Sequence, residues 1–145
     1  MEEKGKIFTK TIQTLINLLN QSLRFEYNFI IHYPRIAQMV RDEETRKLIL
    51  DLCSDSIHHS DVVANVIDHL GGKPDWCFDL FPEEMDLLKI FQIQLDKEKQ
   101  ALQLHQKIAN LIPSGPDGSA LRSLVDDEKD HILAVDRIIE RLKQA

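Results

Sequence analysis

The chain has 145 residues, which is the length of one domain, and its hydrophobic and charged fractions of 43% and 29% are ordinary for a globular protein. Its net charge of −6 argues against a nucleic-acid binder, which would carry a basic patch. No apolar run approaches the ~20 residues of a membrane span, and neither Cys53 nor Cys77 belongs to a CxxC pair, which excludes a rubredoxin-type or zinc-ribbon site.

Glycine and proline are scarce, with five of each, and most of them cluster between apolar-periodic segments. These positions predict one all-α domain over residues 1–145, with helices near 8–41, 43–71, 83–112 and 119–144. Pro34 lies inside the first periodic segment, and we expect it to kink that helix rather than end it. Gly71 is expected to cap the end of the second helix, and residues 113–118 are expected to form a turn.

The longest predicted connection lies between the second and third helices and spans roughly ten residues, including Trp76. A bundle in which these two helices run parallel needs a crossover of ~35 Å. About ten extended residues can just reach that far. The sequence therefore predicts a four-helix bundle with one long crossover.

Polar residues interrupt the apolar stripe of every predicted helix. In helix order the interrupting residues are Glu26 and Tyr33, Ser56 and His59, Glu98 and His105, and Glu128 and His131. A lone buried carboxylate is costly, but carboxylates and imidazoles that converge on cations compensate one another. They are also the ligands typical of iron and manganese, and a Glu-x-x-His pair on one helix face can bind a single ion. The predicted metal ligands are Glu26, His59, Glu98, Glu128 and His131.

The other polar residues receive more ordinary interpretations. Tyr33 is expected to be a core tyrosine that hydrogen-bonds a carboxylate of the site. His105 lies two turns from Glu98, and its role as a ligand stays open. Asp55 and His58 fall on the polar face of the second helix, where we expect them to be solvated, as we do for His69.

Four segments carry a resemblance to a known family. They are LRFEY at 23–27, HHSD at 58–61, DKEKQA at 96–101 and DEKDHI at 127–132. They resemble the four helices of the ferritin-like di-iron carboxylate superfamily, and the chain looks nearest to single-domain rubrerythrin-like and bacterioferritin-like proteins. The resemblance spans about residues 10–144. It implies two iron ions, with manganese or zinc as alternatives, held by the five predicted ligands, and it makes Tyr33 the catalytic-site tyrosine.

Ser56 departs from the family pattern, which has a bridging glutamate three residues before the histidine of the second helix. Sliding the register by one residue would restore a carboxylate–histidine pair, Asp55 and His58. That slide would turn the apolar stripe of the helix away from the core, so we expect Ser56 and His59 to point inward. Candidates to complete the site are then His105, Gln94, a water or an exogenous anion.

Other features bear on cofactors, localisation and partners. A bacterioferritin-type haem methionine would fall at Ile57, so we expect no haem. About fourteen residues follow His131, too few for the fifth helix of cage-forming ferritins, so we expect no storage cage. The sequence contains no rubredoxin domain, so we expect that an electron relay of the rubrerythrin type would need a separate partner. The N-terminus lacks the apolar region of a secretory signal, so we expect a cytoplasmic protein. A homodimer is also expected.

The function that the resemblance implies is that of an oxidoreductase that reacts iron(II) with peroxide or dioxygen, of ferroxidase or peroxide-reducing type. Because Ser56 removes a bridging carboxylate, a non-enzymatic metal-binding or interaction bundle is the alternative. A metal-free bundle that dimerises through exposed apolar surface is a third hypothesis.

Overall fold

The computed structural model of the chain describes residues 2–112 and 114–144, with side chains described from residue 11 onward. Its helices are α1 (Glu2–Gln38), α2 (Glu43–His69), α3 (Leu87–Leu111) and α4 (Pro116–Gln144). No strand occurs among the described residues. The predicted four-helix bundle is therefore confirmed, and α1 continues through Pro34, as expected.

Some predicted helix ends were wrong by several residues. The reason is that capping residues determine where a helix begins, whereas the apolar pattern continues past that point. The first helix ends at Gln38 rather than near residue 41, and α2 follows the N-cap Asp42, whose side chain accepts from the Thr45 amide. The third helix begins at Leu87 rather than near residue 83, because Asp86 is its N-cap.

The start of the fourth helix was also predicted too late, since α4 begins at Pro116 rather than near residue 119. Proline lacks an amide hydrogen and has a helical φ, so it fits the first turn of a helix. Gly115 precedes it at φ 150. Of the predicted turn at 113–118, Pro113 lies outside the described residues.

The end of α2 follows the glycine pattern that the sequence predicts. Gly71 has φ 80, and its amide donates to the carbonyl of Asp68, while the Gly72 amide donates to the carbonyl of Ile67. These paired bonds satisfy carbonyls that a helix end leaves free. A Cβ on Gly72 would lie 2.9 Å from the Ile16 side chain, so this position also needs glycine for the close approach of the chain to α1.

The helices form two antiparallel hairpins, α1 with α2 and α3 with α4. Helix α1 also packs on α3, and α2 on α4, whereas the pairs α1–α4 and α2–α3 are diagonal among the described residues. Residues 70–86 join the two hairpins, a longer connection than predicted because α3 begins late. The connection starts where Gly72 meets Ile16 and reaches Phe81 beside Arg35. It therefore runs along α1 from Ile16 to Arg35, in the direction of that helix, so α2 and α3 are parallel.

A polar face of α1 holds this crossover in place. Asn20 accepts from the Asp75 amide, and His32 bonds the carbonyl of Asp79. Asn28 makes a reciprocal pair with Asp79, because its amide nitrogen donates to the carboxylate and its oxygen accepts from the Asp79 amide. These α1 residues are spaced by multiples of four, so they lie along one side of the helix, apart from the stripe that faces the core.

Replacing Asn28 with alanine should destabilise the fold by about 1–3 kcal/mol, because it removes two hydrogen bonds to Asp79, each of which contributes about 0.5–1.5 kcal/mol. Urea unfolding measures this change. Asn17→Ala is the matched control, since Asn17 is exposed and the one hydrogen bond found for its side chain among the described residues is with Gln13 of the same helix. Equal unfolding midpoints for the two variants would contradict this account of the crossover.

Two apolar clusters fill the bundle, one on each side of its middle. One contains Phe29, Ile36 and Ile138, and the other contains Leu19, Val63 and Leu124. The residues between them along each helix are polar and buried. Across the described residues, no helix is long and apolar enough to pass through a membrane.

Candidate metal centre

The middle of the bundle is a layer of buried polar side chains, here called the polar layer. Its members are Ser22 and Glu26 of α1, Ser56 and His59 of α2, Glu98 and His105 of α3, and Glu128 and His131 of α4. Each is at most 3% exposed. Every helix therefore contributes a pair, and all five predicted ligands lie in this one layer.

One set of donor atoms gathers around His59. The Nδ1 atom of His59 lies 3.4 Å from Oε1 of Glu26 and 3.5 Å from Oε1 of Glu128. Two ligands that each bind one ion at about 2.1 Å lie at most about 4.2 Å apart. These atoms are therefore close enough to share one metal ion, and we call this place position 1.

A second set gathers around His131. Its Nδ1 atom lies 3.7 Å from Oε2 of Glu98 and 3.8 Å from Oε2 of Glu128. This set, position 2, again has the spacing of ligands to one ion. Since Glu128 turns one oxygen toward each position, it is placed to bridge two ions.

The donor atoms that face these positions lack hydrogen bonds. Within the described part of the chain no hydrogen-bond partner is found for either carboxylate oxygen of Glu26 or Glu128, for Oε2 of Glu98, or for Nδ1 of His59 and His131. Buried polar atoms without partners are costly. Cations would supply the missing interactions, so the residues present fit a two-metal centre.

The outer nitrogens of the two histidines, in contrast, have partners. Nε2 of His59 lies 2.9 Å from the carboxylate of Asp127, and Nε2 of His131 lies 3.0 Å from that of Asp55. A carboxylate on the far nitrogen fixes the ring and leaves the inner nitrogen free to bind a metal. Sequence reasoning missed these two partners. The sequence feature that could have pointed to these aspartates is that each directly precedes an inward residue, Ser56 or Glu128.

Tyr33 and Gln94 flank the polar layer. The Tyr33 hydroxyl donates to Oε1 of Glu98 at 2.8 Å, as the sequence analysis expected, and this leaves Oε2 of Glu98 to face position 2. Gln94 is fully buried, and neither of its amide atoms has a hydrogen-bond partner among the described residues.

Ser56 and His59 both point into the bundle, fully buried, and the alternative register with Asp55 and His58 is excluded. Asp55 was expected to be only solvated. Its side chain is 60% exposed, but its carboxylate still reaches His131. His69 is exposed and pairs with Asp117.

Metal-free, the polar layer retains protons. Burial raises the pKa of Glu98 to about 8 and raises that of Glu128 as well. Burial disfavours charged imidazoles, but the facing carboxylates outweigh it and raise the pKa of His59 to about 11 and that of His131 to about 9. In the metal-free protein, these protons offset the negative charge of the carboxylates, which metal ions would offset when bound.

The stability of the metal-free protein should fall as pH rises from about 6.5 to 9. Histidine in the unfolded chain loses its proton near pH 6.5, whereas folded His59 and His131 keep theirs to about pH 11 and 9. The stabilisation from His131 is therefore lost across this window, and that from His59 continues to fall up to about pH 11. Glu98, with its pKa near 8, acts in the same direction from its ordinary pKa of 4.5 upward. Each extra proton held by the folded state contributes about 1.4 kcal/mol per pH unit.

Urea unfolding of chelator-treated protein at several pH values measures how the free energy of unfolding changes with pH. Glu98→Gln removes one of the titrating groups and should make this change smaller. A midpoint that stays level or rises between pH 6.5 and 9 would show that the polar layer does not hold these protons.

Comparison with known proteins identifies the fold. No family profile matches the sequence, and no curated protein is similar to it. Among solved structures, a ferritin-like diiron-carboxylate protein of Bacillus anthracis is 22% identical with a TM-score of 0.81, covering 89% of this chain and 97% of its own. The bacterioferritin-related dodecameric thioferritin of Bacteroides fragilis is 19% identical with a TM-score of 0.79, covering 99% and 96%.

A third similar structure is the bacterioferritin of Desulfovibrio desulfuricans, described with a diiron site in different catalytic states. It is 17% identical with a TM-score of 0.76, and the match covers 93% of this chain and 83% of the bacterioferritin. The fold of the present chain is therefore the ferritin-like four-helix bundle, with the polar layer at its centre.

Proposed function

We propose that this ferritin-like bundle binds two iron(II) ions in the polar layer and oxidises them with peroxide or dioxygen. The observation that carries the proposal is the set of inward donor atoms, from all four helices, that lack hydrogen-bond partners. Iron as the metal is supported by the similarity to a diiron-carboxylate protein and to a bacterioferritin with a diiron site. Manganese and zinc favour overlapping ligands and are the competing ions.

Each ligand has a proposed place. Glu26 and His59 would hold an ion at position 1, Glu98 and His131 would hold one at position 2, and Glu128 would be shared by the two positions. Iron(II) supplies one electron per ion, so two ions and two protons reduce one hydrogen peroxide to two waters. Carboxylates stabilise the added positive charge of the ferric products.

The surrounding side chains control geometry and protons. Asp127 and Asp55 accept from the outer nitrogens of His59 and His131 and so aim Nδ1 of each ring at the metal positions. Tyr33 orients Glu98 through its hydrogen bond, and burial raises its pKa well above the usual value, so it stays a protonated donor. We also propose that this phenol can supply an electron to the oxidant, with its proton passing to Oε1 of Glu98.

Anaerobic iron(II) titration followed by stopped-flow mixing tests the proposal. We expect two ions per chain, and near-ultraviolet absorbance of ferric carboxylate should grow on mixing with peroxide or with air-saturated buffer. Comparison of the two rates at equal oxidant concentration identifies the preferred oxidant. Binding of less than one iron per chain, with no ferric absorbance, would overturn the proposal. If turnover needs an external reductant, a separate electron donor is implied.

A second candidate function is a non-enzymatic metal-binding module, and Ser56 is the observation that favours it. The serine is fully buried and its hydroxyl has no hydrogen-bond partner among the described residues. The family pattern that the sequence resembles has a bridging carboxylate at this position. A centre with only one bridging residue could retain metal without reacting with an oxidant.

Ser56→Glu separates the two candidates. If the missing carboxylate limits the site, the variant should bind metal more tightly and react with peroxide where the wild type does not. A wild type that already reacts, with no gain in the variant, would exclude the non-enzymatic function.

The expected homodimer also remains a proposal. Apolar side chains of the crossover are exposed, with Trp76 at 51%, Phe78 at 49% and Leu80 at 89%, and a second copy of the chain would cover them. Sedimentation equilibrium of the wild type and of Leu80→Glu tests this. A monomeric wild type at micromolar concentration would contradict it.

A further inference from the structure

His105 is the one imidazole of the polar layer that the predicted ligand set leaves unused. It is 1% exposed and projects from α3 into position 1. Its Nδ1 atom lies 3.8 Å from Oε1 of Glu128, and its Nε2 atom lies 3.8 Å from Oε1 of Glu26. The donor atoms of these three residues lie within 4.8 Å of one another.

The two halves of the bundle differ at this place. Tyr33 follows Glu26 by seven residues and hydrogen-bonds Glu98 on the opposite hairpin. His105 follows Glu98 by the same spacing and lies toward Glu26, so it occupies the equivalent place in the other half. A phenol there can donate a hydrogen bond, whereas an imidazole also has a nitrogen lone pair that can bind a cation.

The two ring nitrogens of His105 are in different environments. Nε2 lies 2.5 Å from the hydroxyl of Ser22, a hydrogen bond that orients the ring. Nδ1 has no hydrogen-bond partner in the described part of the structure. When Nε2 carries the hydrogen and donates it to Ser22, Nδ1 keeps its lone pair directed toward Glu128. His59 and His131 have the same arrangement, with the outer nitrogen bonded and the inner one free.

We propose that His105 is a third imidazole ligand, binding through Nδ1 to the metal ion at position 1. This inference rests on the proposed two-metal site and extends it. Ser56 contributes no carboxylate, so the centre is one donor short of the pattern that it resembles, and His105 provides a neutral donor in its place. Position 1 then has Glu26, His59, His105 and Glu128, while position 2 has Glu98, His131 and Glu128.

The proposal makes the two positions unequal. Position 1 has two imidazoles and two carboxylates, and position 2 has one imidazole and two carboxylates. Position 1 should therefore fill first during titration. Ser22 is a positioning residue for position 1, because the hydrogen bond found for its side chain among the described residues is to Nε2 of His105, the nitrogen that faces away from the metal.

Proton NMR of the whole chain loaded with cobalt(II) counts the bound histidines. Each imidazole bound to cobalt gives a strongly shifted N–H signal that disappears in heavy water, and the hydrogen-bonded outer N–H groups here should exchange slowly enough to be seen. We expect three such signals in the wild type and two in His105→Gln. His58→Gln, which changes an exposed histidine of α2, should keep all three.

Ser22→Ala supplies a test that does not depend on His105→Gln folding. Loss of an outer-shell partner typically weakens metal binding 10–100-fold, so we expect a change of about that size in the affinity for the first cobalt ion and little change for the second. Two signals in the wild type, and unchanged first-ion affinity in Ser22→Ala, would overturn the proposal while leaving the two-metal site intact. If the wild type binds no cobalt or iron at all, the proposed function itself fails.

Discussion

Glu128→Gln should reduce metal binding from two ions per chain to one or fewer. Glu128 turns Oε1 toward His59 and Oε2 toward His131, so among the described residues it is the carboxylate placed at both positions. Glutamine keeps the shape but removes the negative charge and offers a single oxygen. Equilibrium dialysis against iron(II) under argon, followed by metal analysis, measures the stoichiometry.

Glu140→Gln is the matched control for this prediction. Glu140 lies on the same helix but is exposed, and its one ion-pair partner among the described residues is Lys143. The control should retain both ions. If Glu128→Gln also retained two ions, Glu128 would not bridge them, and the ligand assignment of both positions would have to be abandoned.

Loading with metal should raise the melting temperature by on the order of 10 °C or more. A ligand at a thousand times its Kd stabilises the folded state by about 4 kcal/mol per site, and each kcal/mol is worth several degrees for a domain of this size. The structural reason is that the metal replaces the interactions that the buried donor atoms lack. Calorimetry of chelator-treated and metal-loaded protein measures the shift.

The same scan on Glu128→Gln supplies the control for stabilisation. This variant should gain only a small part of the shift, because both positions lose their shared ligand. If the metal-loaded and metal-free wild-type proteins had the same melting temperature, any bound ions would lie outside the polar layer.

The bundle and every member of the polar layer except Ser22 could be predicted because helical periodicity assigns each residue to a face. Glu26, His59, Glu98, Glu128 and His131 all interrupt apolar stripes, and all are buried together. The inward position of Ser56 followed from the same argument, since the alternative register would have exposed the stripe of α2. Because buried charged groups are costly unless they are compensated, a metal site was the main chemical explanation for so many of them in one layer.

The crossover and the outer partners could not be predicted in the same way. The start of α3 depends on the cap made by Asp86, which outweighs the equally plausible start at Pro82. Asp127 and Asp55 bond histidines on the opposite helix, and one sequence does not tell which edge of α2 faces α4. The direction of His105 depends on the contact with Ser22, which lies eighty-three residues away in the chain.

The most direct test of a two-metal centre is a crystal structure of the chain loaded anaerobically with iron(II), with anomalous data at the iron edge. The account predicts two peaks in the polar layer, with Glu128 between them, one beside His59 and one beside His131. Crystals of iron-loaded protein with no anomalous peak among these side chains would contradict it.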